Sequence, residues 1–241
     1  MTKIITKYFD DGSLSFIKSG SFKFGTLEEY RAKEVTQSSA RMSDPLEARI
    51  PLSFGSQRPG GEKVSMTVGT MTFEDCSFVG SNLFGFTPAF NQWVFCSSIG
   101  KYDLAHHRIM LCGKGNYKGN PELKNWVEID LEKFLSALKV EVSKEMTVQA
   151  FGSEVLHHAK VKYNKGQLEI PVRRGVFDIK SFGLELAAAF TKPAEFSVEM
   201  EYRILARLFA PNQAPLSAAP RAFRSDGLRE SILDVGRISQ D

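Results

Sequence analysis

The chain has 241 residues, 42% hydrophobic and 24% charged, with a formal net charge of +3. That balance supports a sizeable core and excludes disorder throughout, while the mild positive charge demands no polyanionic partner. Three cysteines without CxxC spacing exclude a disulfide-stapled secreted framework; the opening MTKIITKYFDDGS carries no signal-peptide stretch and no window is apolar enough to span a bilayer, so a cytoplasmic protein is expected.

Ile4 to Phe9 reads as the first strand, and Gly12 to Gly20 as a short helix with a serine start and a glycine stop. Ser21-Phe22-Lys23-Phe24 alternates like a strand that Gly25 breaks, and Thr26-Leu27-Glu28-Glu29 has the form of a capping box opening a helix with Tyr30 and Arg31. A polar loop containing Arg41 and Asp44-Pro45 follows. Ile50 to Phe54, Val64 to Phe73 and Trp93 to Ser98 are strand-like between Gly, Pro and Ser loops. Lys114 to Gly119 places Tyr117 between two lysines in a glycine-rich stretch, which reads as a solvated loop. Asp130 to Leu138 is the clearest helix, capped by its aspartate. Val155 to Tyr163 and Gln167 to Val172 bracket Asn164-Lys165-Gly166 as a hairpin, Phe182 to Phe190 has helical character, and Phe196 to Leu208 is the last strong strand.

From Pro211 the composition turns to Pro, Ala and Ser, then to a segment with four arginines and four acidic residues. It reads as a surface arm with a short helix. The fold expected is therefore α+β, with a mixed, mainly antiparallel sheet flanked by short helices, in one domain over residues 1–210 and an arm over 211–241.

Nucleotide-binding and hydrolase signatures are absent: no GxxxxGK[ST], no GxGxxG after a strand, no HExxH and no GxSxG. His106-His107 and His157-His158 are neighbours whose side chains diverge on helix or strand, so no metal clamp is expected. The informative segment is Phe196-Ser197-Val198-Glu199-Met200-Glu201-Tyr202-Arg203-Ile204. As a strand it sets Glu199, Glu201 and Arg203 on one face, roughly 7 Å apart. Two carboxylates so placed suit work at a glycosidic carbon, one stabilising cationic charge and the other orienting a nucleophile; a solvated, charge-paired sheet face is the alternative. Ser97 and Ser98 end an apolar strand with two hydroxyls able to bond a ligand or a carboxylate, or simply to close a turn. Arg31 and Arg41 are natural phosphate clamps, and Tyr30 or Phe24 can stack on a flat ring.

The order of a strand, a short helix and glycine, then a strand ending Ser-Ser, then a late strand with Glu-x-Glu resembles the ADP-ribosyltransferase superfamily. The run Phe22-x-Phe24-Gly25-Thr26 to Arg31, with Arg41-x-Ser43-Asp44-Pro45, Phe95-Cys96-Ser97 and Glu199-x-Glu201-Tyr202-Arg203, is also similar to bacterial proteins of phage-defence and toxin loci. The resemblance runs in order through most of residues 4–209 by short motifs. It implies NAD as co-substrate, Glu201 as the catalytic glutamate, Glu199 as the preceding acidic position, Ser97 and Ser98 as the serine-rich strand end, and Lys192 to Ser197 as a substrate-recognising turn. The first strand has Lys7-Tyr8 where the family has arginine or histidine, so Arg31 or Arg41 is expected to hold the pyrophosphate, with Tyr30 or Phe24 against nicotinamide. A nucleic-acid or protein acceptor and an antitoxin or chaperone partner would follow. The competing readings are a non-catalytic interaction module of a mobile element and a metal-dependent nuclease built on Asp44, Glu47, Glu199 and Glu201.

Overall fold

The computed structural model describes residues 3–32, 50–54, 64–68, 71–76, 82–86, 92–145, 156–164, 168–170, 177–179, 189–206 and 219–238. The strands of the first half are β1 (Ile4–Phe9), β2 (Ser21–Thr26), β3 (Ile50–Phe54), β4 (Val64–Val68), β5 (Met71–Cys76), β6 (Asn82–Phe86) and β7 (Trp93–Ile99). Those of the second half are β8 (Asn125–Asp130), β9 (Leu156–Lys160), β10 (Lys162–Asn164), β11 (Leu168–Ile170), β12 (Phe177–Ile179), β13 (Thr191–Pro193), β14 (Glu201–Ala206), β15 (Arg221–Arg224) and β16 (Ile232–Arg237). The helices are α1 (Leu14–Lys18), α2 (Leu27–Ala32), α3 (Leu104–Cys112), α4 (Leu131–Glu145) and α5 (Asp226–Glu230), with 3-10 turns at Asp11–Ser13 and Ala194–Glu199. The fold is thus mixed α+β, mainly antiparallel, with short helices.

The chain divides into two compact units: residues 1–45, 90–161 and 195–241 form one, and residues 46–89 and 162–194 the other. The first unit holds an eight-stranded sheet in the order β15-β2-β7-β1-β8-β16, with β14 paired to β7 and β9 paired to β14. Strand β14 runs along the whole of β7, from Glu201 opposite Ser98 to Ala206 opposite Trp93. On the other edge of β7, β2 pairs only at Trp93 and Val94, and β1 only at Ser98 and Ile99. The sheet therefore forks there, leaving Phe95, Cys96 and Ser97 between two partner strands.

The abundance of phenylalanine is explained by the core. Phe22 stands edge-to-face with Phe134 at 5.0 Å, Phe24 with Phe223 at 5.2 Å, and Phe95 packs on Phe134 at 5.1 Å between ring centroids, geometries that satisfy the ring quadrupoles. Helix α4 turns Leu131, Phe134, Leu138 and Val142 into this core at helical spacing. Asp130 caps it, its Oδ1 accepting from the amides of Glu132 and Lys133 at 3.1 and 3.2 Å.

Gly20 ends α1 in the left-handed region, with φ of 76°, the expected glycine stop. A Cβ there would stand 2.6 Å from the Ser225 carbonyl oxygen and 2.7 Å from the Cβ of Arg229. Gly20→Ala is expected to cost roughly 2–4 kcal/mol by combining left-handed strain with overpacking, read as a lowered urea midpoint.

Three expectations are corrected. Residues 219–238 are not an arm: β15 pairs with β2, β16 pairs with β8, and Phe223 and Leu228 are buried in the core. The prolines and alanines of the preceding segment masked the short apolar pattern that follows it. Among the described residues the strands on either side of Asn164 do not pair as a hairpin: in the second unit β10 runs parallel to β13 and β11 parallel to β3. That unit also contains the antiparallel pairs β3–β6 and β4–β5, with β12 parallel to β4. Finally, the strand read over Phe196 to Leu208 begins only at Glu201, after the 3-10 turn. The helical reading of Phe182 to Phe190 lies almost wholly outside the described residues.

Candidate functional site

Strand β14 sends Tyr202, Ile204 and Ala206 to one face, where Ile204 and Ala206 join the core and Tyr202 packs against it. Glu201 and Arg203 alternate to the other face. That face is also closed off, for Glu201 is 4% exposed and Arg203 1%. The Arg203 guanidinium grips the carboxylate at two points, Nε donating to Oε1 at 2.7 Å and Nη2 to Oε2 at 3.2 Å. Two parallel charge-assisted bonds fix the orientation of the carboxylate.

Lys7 reaches the same place through the fork. Its Nζ donates to the Cys96 carbonyl at 2.8 Å and stands 4.6 Å from the centre of the Phe95 ring, so an ammonium satisfies a carbonyl left between two partner strands. Burial holds the Lys7 pKa below its usual range, opposed by the charges of Cys96 and Glu201. Tyr30 of α2 is the fourth member. Burial first, then Cys96, Glu201 and Glu29, push its phenol well above the usual range, and it shares a side-chain hydrogen bond with Cys96. Glu201, Arg203 and the Cys96 thiol thus share the face opposite the core, with the Tyr30 phenol bonded to that thiol, while Lys7, which alternates with the core residues Ile5 and Phe9, reaches the Cys96 carbonyl from the core side.

The alkaline behaviour follows from this environment. Tyr8, Tyr30, Tyr102 and Tyr202 all have raised pKa values, each mainly through burial. Above the ordinary tyrosine pKa of 10.0 the unfolded chain loses these protons while the folded chain keeps them. Stability contributed by the four phenols is therefore complete below pH 10 and is lost as pH rises towards the folded-state values. An ultraviolet tyrosinate titration is expected to show late ionisation that ends in cooperative unfolding, and Tyr30→Phe to shift that unfolding to higher pH.

The residues expected from sequence divide. Glu201, Tyr30 and Ser98 come together: Ser98 is the cross-strand neighbour of Glu201, and its Oγ donates to the Glu199 carbonyl at 2.7 Å. Ser97 points to the opposite face and donates from Oγ to the Tyr202 carbonyl at 3.2 Å. Both hydroxyls bond main chain on either side of Glu201, so they hold its strand. Glu199 does not share a strand face with Glu201, because it sits in the 3-10 turn and Met200 between them has a φ of 48°. Phe24 lies apart from Glu201, Tyr30 and Ser98, fully buried in the core and packed on Phe95 and Phe223. Arg31 is in α2, with its side chain outside the described residues; Arg41, Asp44 and Glu47 lie outside them altogether.

Lys7 and Cys96 were missed as site members, and Arg203 was read only as a face charge. A lysine within the alternating Ile-Ile-Thr-Lys-Tyr-Phe strand was the available signal for Lys7. The fork that gives it a purpose needs three strands from distant parts of the chain. The histidine pairs take part in hydrogen bonds: His107 Nε2 donates to the Leu123 carbonyl at 2.5 Å, and His158 Nδ1 lies 2.6 Å from the Tyr202 hydroxyl. Lys114 and Tyr117 close a tight turn with exposed lysines, as a solvated loop should. Among the described residues no group of three or more His, Cys, Asp or Glu is placed to hold a metal, and no helix is long and apolar enough to cross a membrane. Compared with known proteins, the chain matches no protein-family model, no curated protein and no solved structure.

Proposed function

We propose that this chain is an ADP-ribosyltransferase that moves ADP-ribose from NAD to a nucleic-acid or protein acceptor, with Glu201 as the carboxylate at the reacting ribose. The observation that carries this reading is Glu201 itself, buried away from the core and gripped at two points by Arg203. A fixed, ionised carboxylate stabilises the positive charge that develops on the anomeric carbon better than it stabilises the neutral ground state. In the transfer, the bond from that carbon to nicotinamide breaks with its electron pair leaving on nicotinamide. The acceptor nucleophile forms the new bond and gives up its proton to solvent. Lys7 and Arg203 supply positive charge of the kind a pyrophosphate needs, and Tyr30 supplies an aromatic ring and a hydroxyl beside them. They join Arg31 and Arg41, the pyrophosphate clamps expected from the sequence, in this proposal, and Tyr30 is the aromatic proposed against nicotinamide. An ADP-ribosyltransferase-like sheet, and a toxin or anti-phage setting with an antitoxin or chaperone partner, belong to the same proposal.

The test uses labelled NAD, the purified full chain and a bacterial lysate. Label is expected to appear on a macromolecule, and NAD to raise the melting temperature. No transfer, with no NAD binding at millimolar concentration, rejects the class.

One observation favours a second reading. With 4% and 1% exposure, Glu201 and Arg203 are sealed as tightly as the core, which suits a structural ion pair in a non-catalytic interaction module. In that case the pair affects stability alone.

A further inference from the structure

The turn that delivers Glu201 is bonded at every carbonyl from Ser197 to Met200. The Ser197 carbonyl accepts from the Met200 amide at 3.2 Å and the Met200 carbonyl from the Ile99 amide at 2.9 Å. The Val198 carbonyl accepts from His106 Nε2 at 2.8 Å, and the Glu199 carbonyl from Ser98 Oγ at 2.7 Å. A carbonyl on Nε2 requires that nitrogen to carry the hydrogen. Nδ1 is then the acceptor, and Tyr8 Oη donates to it at 2.9 Å. Tyr8 in β1 thereby fixes the tautomer with which His106 in α3 holds the turn.

Within this bonded turn Met200 has a φ of 48°, the sole positive φ of a non-glycine residue among the described residues. Its side chain is 48% exposed, so packing of that side chain does not explain the conformation. A left-handed methionine persists only where its surroundings over-determine it, and such residues cluster where geometry is being held for a purpose. The residue whose geometry is set here is the next one. Once Met200 turns left-handed, Glu201 enters β14 opposite Ser98 with its side chain on the face of Arg203. Its carbonyl accepts from the Val161 amide at 2.9 Å.

We propose that His106 and Met200 are positioning residues: the Tyr8–His106–Val198 chain of hydrogen bonds and the left-handed Met200 together fix the point at which Glu201 enters the sheet. The catalytic part of this inference rests on the function proposed above; the mechanical part does not.

The experiment has two arms on the full chain. In the first, amide hydrogen exchange is followed by NMR at Ile99 and Val161, which donate to the Met200 and Glu201 carbonyls, in wild type, His106→Ala, Met200→Gly and Met200→Asn. Exchange at both amides is expected to speed up at least tenfold in His106→Ala and Met200→Gly, and to stay near wild type in Met200→Asn, since asparagine tolerates the left-handed region without glycine's freedom. Amides in α4 serve as the control and are expected to be unchanged. In the second arm, transfer from NAD is expected to lose about tenfold in kcat with KM unchanged in the two loosened variants, and to be restored by Met200→Asn. Unchanged exchange at Ile99 and Val161 overturns the proposal, as does faster exchange with undiminished kcat. If the wild type transfers nothing, the proposed reaction falls, and the exchange arm alone decides whether His106 and Met200 hold Glu201 in place.

Discussion

A chain ending at residue 218 is expected not to fold. Such a truncation removes β15, α5 and β16, and with them the buried side chains of Phe223 and Leu228. Each is worth about 2–5 kcal/mol by analogy with large-to-alanine substitutions in cores, against a total stability of roughly 5–15 kcal/mol for a domain of ordinary size. It also uncovers the outer edges of β2 and β8, and deprives the Trp93 indole of the Ala219 carbonyl to which it donates at 2.6 Å. The expected result is a protein with little cooperative melting and with dye-accessible apolar surface. A truncated chain that melts like the full one would show that these strands are dispensable. Phe223→Ala and Leu228→Ala give the graded version, each lowering the urea midpoint without abolishing the transition.

Arg203→Met is the second substitution with a large expected effect. It leaves Glu201 buried without its two-point partner, and breaking a buried pair from one side costs about 3–5 kcal/mol. Adding Glu201→Leu removes the stranded charge. The double variant is expected to return to within about 1–2 kcal/mol of wild type, because a well-packed apolar pair avoids the desolvation that an ion pair must offset. Lys7 loses an opposing charge in the double variant, so its pKa falls further below its usual range, towards the neutral amine. Denaturant titrations of the four proteins in the cycle measure the coupling. Additive effects of the two substitutions would mean that the two-point contact between Arg203 and Glu201 carries no energetic link. A stable double variant also separates fold from chemistry, since it keeps the sheet and lacks the carboxylate.

What sequence revealed and what it concealed follows the range of the interactions involved. The strand of Ile4 to Phe9, the helix after Asp130 and the Gly20 stop are local, and their patterns correspond to β1, α4 and the end of α1. Thr26 does cap α2, accepting from the Glu29 amide at 3.1 Å, and the Glu29 carboxylate pairs with Lys23 of the preceding strand at 3.0 Å. Glu201 was legible because a carboxylate inside an alternating run is conspicuous. Its relation to Glu199 was misread because alternation was carried back through a 3-10 turn, and no residue in Val198-Glu199-Met200 announces a left-handed backbone as glycine would. The role of Lys7 and the placing of His106 against Val198 join segments about ninety residues apart, and the fork in the sheet likewise needs strands far apart in the chain. The two C-terminal strands were hidden differently: β15 and β16 are short edge strands with exposed charges, the composition expected of edges that avoid pairing with other chains.

The most direct measurement compares ADP-ribosyl transfer by the wild type and Glu201→Gln, at equal folded concentration established by circular dichroism and with NAD binding measured alongside. Glutamine keeps the shape of the side chain and one acceptor for Arg203, and removes the charge. Loss of transfer by about a hundredfold or more, with NAD still bound, is the predicted result. Undiminished transfer by a folded Glu201→Gln protein would contradict the assignment of Glu201 as the working carboxylate.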